Sequence, residues 1–150
     1  MRLFISPHLD DAALSCGGTI HRLTRAGETV TIFTMLAADP PTPPPDTPIV
    51  RDLHARWAAG AQPYAARRRE DARAAAVLGA RAIHHPLQDC VYRTGPDGAP
   101  LYPSEESLWN RVHPADPAPA ALLALDLPPA AVICAPLGVG DQVDHLLARE

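Results

Sequence analysis

The sequence has 150 residues, of which 47% are hydrophobic and 20% charged, and a formal net charge of −4. This length fits one domain with a modest core, and the composition excludes a disordered or fibrous protein. The basic residues, all arginines, are scattered apart from Arg67, Arg68 and Arg69, so we expect no nucleic-acid partner. No apolar run reaches the ~18 residues of a membrane span and no signal peptide is evident, which predicts a cytoplasmic protein without a membrane span. The three cysteines lack C-x-x-C spacing, which argues against a thiolate zinc site.

The N-terminal part of the chain predicts a βαβ unit. Residues 2–6 form a short apolar run typical of a buried strand, and the apolar spacing over 12–26 predicts a helix. Asp10 or Asp11 is the expected N-cap of this helix. The β-branched run over 29–36 predicts a second strand, and a right-handed crossover makes the two strands parallel.

The remaining elements continue this alternation. The segment 38–48 is rich in proline and is expected to be a stiff surface loop. Strands alternating with helices predict an α/β fold, a Rossmann-like three-layer sandwich in which a mostly parallel sheet carries helices on both faces of a single domain. In chain order we predict helices over 49–59 and 64–80, a strand over 82–85, helices over 104–112 and 118–126, and a strand over 131–135.

Polar residues cluster where two of the predicted strands end. Residues 7–11 follow the first strand, and residues 138–145 follow the last one. Ligands of parallel α/β sheets bind at the carboxyl ends of the strands. We therefore expect the two segments to face one crevice.

Three of these residues have the chemistry of a catalytic metal site. His8 and Asp11 lie three positions apart across a strand-to-helix turn, so an imidazole nitrogen and a carboxylate oxygen can approach one centre at about 2.0–2.2 Å, as zinc requires. His145 is the expected third ligand, and two histidines with one carboxylate leave positions open for water and substrate. Asp10 is then free to act as a general base. The alternative for the first segment is a polar turn with an N-cap, which needs only one carboxylate.

Two motifs flank the predicted crevice. The first is Pro7-His8-Leu9-Asp10-Asp11, followed by CGG, and the second is Gln142-Val143-Asp144-His145. They match the P-H-x-D-D motif and, in part, the H-x-D-H motif of the PIG-L or LmbE-like zinc-dependent N-acetylglucosaminyl deacetylases, which this sequence resembles. The stretches RRREDARAAAVLGA, PLQDCVYR and VHPAD are also similar, so the resemblance extends over essentially the whole chain.

The resemblance implies a cofactor, a substrate and roles for further residues. The three ligands named above would hold Zn²⁺, with Fe²⁺ as the alternative, and Asp10 would be the general base. The substrate would be a small N-acetylated sugar of the N-acetylglucosamine type. Asp144 is expected among the catalytic residues as the group that orients a ligand histidine. Arg67 is expected to contact sugar hydroxyls, with Glu70 positioning it, and Asp89 to bind substrate at the rim.

Two departures from the family pattern leave the activity open. Gln142 stands where the family has the first histidine of H-x-D-H, and its amide can donate a hydrogen bond to an oxyanion but cannot deliver a proton, so activity is expected to be reduced. The chain ends soon after His145, and we expect it to be truncated at the C-terminus. The alternative function is a noncatalytic metal- or sugar-binding remnant of the family. A different metal-dependent amide hydrolase and a homo-oligomer also stay open.

Overall fold

The centre of the protein is a four-stranded parallel sheet. The computed structural model describes residues 1–57, 62–109 and 111–149. The strands are β1 (Arg2–Ser6), β2 (Val30–Thr34), β3 (Arg81–His84) and β4 (Val132–Cys134). Their order in the sheet is β3-β2-β1-β4, and every neighbouring pair is parallel. The predicted α/β architecture is confirmed, and β1 occupies the middle of the sheet with its carboxyl end between those of β2 and β4.

Helices connect these strands, and they agree with the predicted elements except in the segment before β4. None of the helices in the described ranges is both long enough and apolar enough to cross a membrane. The two residues predicted to end the second helix, 58 and 59, lie outside the described part of the chain. The helices are α1 (Asp11–Arg25), α2 (Pro48–Trp57), α3 (Pro63–Val77), α4 (Ala118–Leu123) and α5 (Val143–Arg149).

The two central strands of the sheet, β1 and β2, are buried on both faces, whereas the edge strand β4 is largely exposed. Successive side chains of a strand point to opposite faces, so Phe4 packs with Ile20 of α1 and Ala75 of α3, whereas Ile5 packs on the other face near Leu122 of α4 and Ala148 of α5. All five residues of β2 are buried. This burial explains the continuous apolar run of that strand and gives the predicted three layers.

The helix predicted over 104–112 is wrong. Among the described residues of this segment, Glu106–Leu108 form a 3-10 turn and Trp109 has an extended conformation. Ser107 Oγ donates to the carbonyl oxygen of Ser104 at 2.5 Å and accepts from the backbone N–H of Ser104 at 3.1 Å. Such local bonds between side chain and backbone compete with helical hydrogen bonding, and the apolar spacing does not reveal them.

A third apolar cluster lies beyond the carboxyl end of β1. It joins Leu9 to Val50 of α2, Tyr64 of α3, Tyr92 of a 3-10 turn and Val143 of α5. Four segments that are distant in sequence are thereby packed around the end of one strand. This packing positions the polar residues described next.

Candidate metal centre

The segment between β1 and α1 carries the first group of site residues. Ser6 Oγ donates to the carbonyl oxygen of His8 at 2.7 Å and accepts from the N–H of Ala12 at 3.0 Å. Asp10 is the N-cap residue of α1, as predicted, but its side chain makes no capping hydrogen bond, and Ser6 Oγ accepts from the N–H of Ala12 instead. Both carboxylates are therefore left for other partners. Sequence reasoning missed Ser6, since a serine at the end of a strand carries no signal for this contact.

His8, Asp11 and His145 converge as predicted. One ligand atom from each lies within 4.8 Å of the others. Asp11 Oδ2 lies 3.3 Å from His8 Nδ1 and 3.3 Å from His145 Nε2. Two atoms that bind a tetrahedral zinc at about 2.1 Å are about 3.4 Å apart, so these separations fit such an ion. The donor set of two imidazoles and one carboxylate also suits Fe²⁺.

Asp144 fixes the orientation of the first of these histidines. Its side chain is 0% exposed, and its Oδ2 accepts hydrogen bonds from His8 Nε2 and from the backbone N–H of Cys90, each at 3.0 Å. With the Nε2 proton directed at Asp144, the Nδ1 lone pair of His8 is the one that faces Asp11. Burial raises the pKa of Asp144, but the guanidinium of Arg93 and the ring of His8 outweigh it and hold that pKa well below its usual range.

Asp89 lies behind His8 rather than at an exposed rim. It is 6% exposed, and its Oδ2 accepts from the Tyr64 hydroxyl at 2.6 Å and lies 3.6 Å from His8 Nε2. Its Oδ1 accepts from the N–H of Val91 at 3.2 Å. A direct contact of Asp89 with substrate stays a prediction. The contact that the structure shows is the one with His8.

Carboxylates therefore surround His8 and control its charge. Burial lowers the pKa of this histidine, but Asp89, Asp11 and Asp144 together raise it well above its usual value. Without a metal ion, the protonated form of the ring is therefore favoured. A divalent cation bound at Nδ1 takes the place of that proton.

Asp10 faces a different partner from its neighbour. Its Oδ2 lies 3.5 Å from Arg67 Nη2, and the Arg67 guanidinium stacks over the ring of Trp57 at 4.6 Å. Burial raises the pKa of Asp10, and Arg67 opposes the shift without cancelling it. Glu70, expected to position Arg67, is exposed and makes no ion pair with it among the described residues, so that expectation is wrong.

Gln142 is the N-terminal cap of α5. Its Oε1 accepts from the backbone N–H groups of Asp144 at 2.7 Å and His145 at 3.0 Å. Because the oxygen is engaged in this way, the amide nitrogen points away from the helix and lies 3.5 Å from Cys90 Sγ. The residue thus holds the helix that carries Asp144 and His145, and it keeps a donor for a further partner.

A cavity of about 180 Å³ brings the polar residues next to an apolar wall. A larger cavity of about 290 Å³ lies between α4, α5 and the sheet, but it is lined by apolar side chains and has no titratable group. Two of the predicted ligands, Asp11 and His145, line a separate cavity of about 100 Å³, whereas His8 lines the cavity of about 180 Å³. The polar lining of that cavity is His8, Asp10, Arg67, Asp89 and Gln142, and its apolar wall is Leu53, Trp57, Val91 and Leu108.

Sequence reasoning assigned no role to Arg93. This residue is 3% exposed, and its Nη2 lies 2.6 Å from Asp144 Oδ1. The arginine stands in a stretch for which neither helical nor strand spacing predicts an orientation. Its contact with the metal centre arises from tertiary packing alone.

Comparison with known proteins identifies the family. The sequence model of the PIG-L family, described as GlcNAc-PI de-N-acetylase, matches residues 3–150. No curated protein matches the sequence significantly.

Several solved structures resemble the chain. A deacetylase in complex with bog, from the biosynthesis pathway of teicoplanin, is 29% identical with a TM-score of 0.75, and the match covers 99% of this chain and 60% of that one. The zinc-inhibited form of teicoplanin deacetylase is 32% identical with a TM-score of 0.64, over 83% of this chain and 48% of that one. An antimicrobial-reagent pseudoaglycone deacetylase is 29% identical with a TM-score of 0.69, and the match covers 99% of this chain and 55% of that one.

These matches are longer proteins than the chain described here. The aligned part is 48% to 60% of their length. Within that part, the strand-end motif, the parallel sheet and the match over residues 3–150 agree with one another. The chain belongs to the PIG-L family of deacetylases.

Proposed function

We propose that the protein is a metal-dependent N-deacetylase that hydrolyses the acetamide group of an N-acetylglucosamine-type sugar or glycoconjugate. The observation that carries this proposal is the convergence of His8, Asp11 and His145 beside a fourth side chain, Asp10, that is not needed as a ligand. When bound, Zn²⁺ polarises the amide carbonyl and lowers the pKa of water to about 7. Fe²⁺ is the alternative ion for the same donors.

Asp10 is the proton carrier of the proposed reaction. It takes a proton from the attacking water, and it returns that proton to the amine nitrogen as the C–N bond breaks. A general base works best when its pKa lies near the operating pH, and the raised pKa of Asp10 moves it in that direction. Arg67 holds the carboxylate from the other side of the cavity.

Gln142 supplies the hydrogen bond that stabilises the carbonyl oxygen as it becomes negative. Its Oε1 is engaged with the end of α5, so Nε2 is the atom available to the substrate. Preorganised donors of this kind stabilise an oxyanion. An amide has no proton to transfer, and both proton steps therefore fall to Asp10.

The substrate class is proposed from the cavity lining and from the similar proteins. A guanidinium has five N–H groups, and the ion pair with Asp10 leaves Arg67 with donors for sugar hydroxyls. Leu53 and Trp57 can contact the apolar face of a sugar ring. One of the similar structures is a deacetylase–teicoplanin complex, which supports a glycoconjugate. A cytoplasmic location stays a prediction.

The alternative function is a noncatalytic remnant that binds metal or sugar. It is favoured by one observation, the glutamine at position 142, whose main contacts hold a helix end. The two functions differ in whether amine is released.

The deciding experiment measures amine release by protein reconstituted with Zn²⁺ or Fe²⁺. The substrates are N-acetylglucosamine, a GlcNAc-phosphatidylinositol analogue and teicoplanin. Asp10→Asn keeps the size of the side chain and removes the base, and Asp52→Asn is the matched control on the exposed surface of α2. Release that is lost in Asp10→Asn and kept in Asp52→Asn supports the enzyme. Stoichiometric metal with no release from any substrate supports the remnant.

A further inference from the structure

A buried arginine is connected to the metal centre through one carboxylate. Arg93 Nη2 lies 2.6 Å from Asp144 Oδ1, while Asp144 Oδ2 accepts from His8 Nε2 and from the N–H of Cys90, each at 3.0 Å. The two oxygens of Asp144 thus have different tasks, one toward the arginine and one toward the histidine. With both oxygens engaged, the carboxylate cannot rotate without losing at least one of these bonds.

The guanidinium of Arg93 is itself held from several directions. Its Nε donates to Asp116 Oδ2 at 3.0 Å, and its Nη1 donates to the carbonyl oxygen of Gln88 at 3.1 Å. Asp116 is in turn held by the Tyr102 hydroxyl at 2.7 Å and by the N–H of Ala118 at 2.9 Å. A planar guanidinium with a separate acceptor on each nitrogen has one orientation.

The charges around Asp144 require this arrangement. Asp116 and Asp144 are both buried carboxylates, and Arg93 is the cation that contacts both. Without the guanidinium, Asp144 keeps His8 and the Cys90 N–H as its described hydrogen-bond donors. A buried carboxylate that loses its charged partner is left as an uncompensated charge, which is strongly destabilising.

We propose that Arg93 is a positioning residue of the metal centre, which locks Asp144 so that His8 presents Nδ1 to the metal together with Asp11 and His145. This inference rests on the proposed metal site, and it adds a residue that lies outside both sequence motifs. Groups that orient a metal-ligating histidine typically affect metal affinity 10–100-fold. Arg93 acts one bond further out, through the carboxylate that contacts the ligand.

The test measures the dissociation constant for Zn²⁺ by competition with a chelator, together with the melting temperature of the metal-free protein. Arg93→Met is expected to weaken Zn²⁺ binding by about 10-fold or more. Arg93→Lys keeps the positive charge but loses the planar guanidinium that donates to three acceptors. It is expected to bind Zn²⁺ more tightly than Arg93→Met and more weakly than the wild type. Asp71→Asn is the matched control, because it alters another buried carboxylate, whose hydrogen-bond partners are His84 and Thr34.

A double variant shows whether Arg93 acts through Asp144. Arg93→Met/Asp144→Asn is expected to bind Zn²⁺ no more weakly than Asp144→Asn alone, because the second substitution removes the group that the arginine positions. If Arg93→Met fails to fold, Arg93→Lys keeps a cation between Asp116 and Asp144 and keeps the test decisive.

The outcomes separate this inference from the proposed function. Zn²⁺ affinity within threefold of the wild type in folded Arg93→Met or Arg93→Lys overturns the positioning role, even if amine is released. A loss of affinity in Asp71→Asn as large as that in Arg93→Met overturns it too, since the effect is then one of general stability. Weakened binding confined to the Arg93 and Asp144 variants supports the role, even if no substrate is hydrolysed. A wild-type chain that binds neither Zn²⁺ nor Fe²⁺ overturns both.

Discussion

Replacing Asp10 by glycine is predicted to stabilise the metal-free protein and to abolish amine release. Asp10 has φ 155° and ψ −25°, a conformation that costs a residue with a Cβ of the order of 1–3 kcal/mol. Its side chain makes no capping hydrogen bond, and its half-exposed contact with Arg67 is worth about 0–1 kcal/mol. The extra chain entropy of glycine costs about 0.5–1 kcal/mol. The sum of these contributions is a free energy of unfolding about 1 kcal/mol higher for Asp10→Gly than for the wild type.

Urea denaturation in the presence of a chelator measures this difference without a contribution from bound metal. For a chain of this length, about 1 kcal/mol corresponds to a rise in melting temperature of about 2–4 °C. Asp10→Ala is the control, because it removes the carboxylate but keeps the Cβ and therefore the strain; it is expected to be no more stable than the wild type. An Asp10→Gly protein that unfolds at or below the urea midpoint of the wild type would refute the strain argument.

Three further predictions concern the metal and the glutamine. Gln142→Ala is expected to lower the free energy of unfolding by about 1 kcal/mol, because α5 loses its N-cap. It is also expected to lower kcat by about 10²-fold, because the donor to the oxyanion is lost. An unchanged kcat would show that Gln142 has no role in the reaction. Zn²⁺ binding at pH 6 is expected to release at least one proton, because the raised pKa of His8 keeps its ring protonated until Zn²⁺ binds Nδ1. The apparent affinity for Zn²⁺ is therefore expected to fall as the pH falls. Calorimetric heats of binding that are the same in buffers of different ionisation enthalpy would contradict this. Dialysis against a chelator is expected to abolish amine release and added Zn²⁺ or Fe²⁺ to restore it, whereas activity that survives in fully metal-free protein would exclude the proposed chemistry.

The two central strands could be predicted because both of their faces are buried. A run such as VTIFT of β2 has no polar face, and that pattern is typical of a central parallel strand. The 3-10 turn Glu106–Leu108, which precedes α4, could not be predicted in the same way. There, the bonds between Ser104 and Ser107 decide the backbone, and they depend on side-chain positions rather than on apolar spacing.

The residues of the candidate site also differ in how well the sequence predicts them. His8, Asp10 and Asp11 are adjacent in the chain, so a strand-to-helix turn brings them together whatever the rest of the fold does. Asp144, the hydrogen-bond partner of His8 Nε2, lies 136 residues from His8 in the sequence. Arg93, which holds Asp144, lies 51 residues from Asp144. Contacts across such separations depend on the packing of loops whose conformation has no periodic signal. Asp144 could still be predicted because it stands in a motif, whereas Arg93 could not.

Two neighbouring carboxylates can do different chemistry here because the backbone at Asp10 departs from the helix that follows it. Asp11 Oδ2 accepts from the N–H of His8 at 2.8 Å and faces both histidines. Burial raises the pKa of Asp11, but His145 and His8 outweigh burial and hold that pKa far below its usual value. Asp10 instead lies by Arg67, where burial raises its pKa. Environments that separate the pKa values of two carboxylates assign one as a permanent anion and the other as an acid and base. Since Gln142 has no proton to give, this separation is what the proposed reaction depends on, and the strained backbone at Asp10 is the structural feature that produces it.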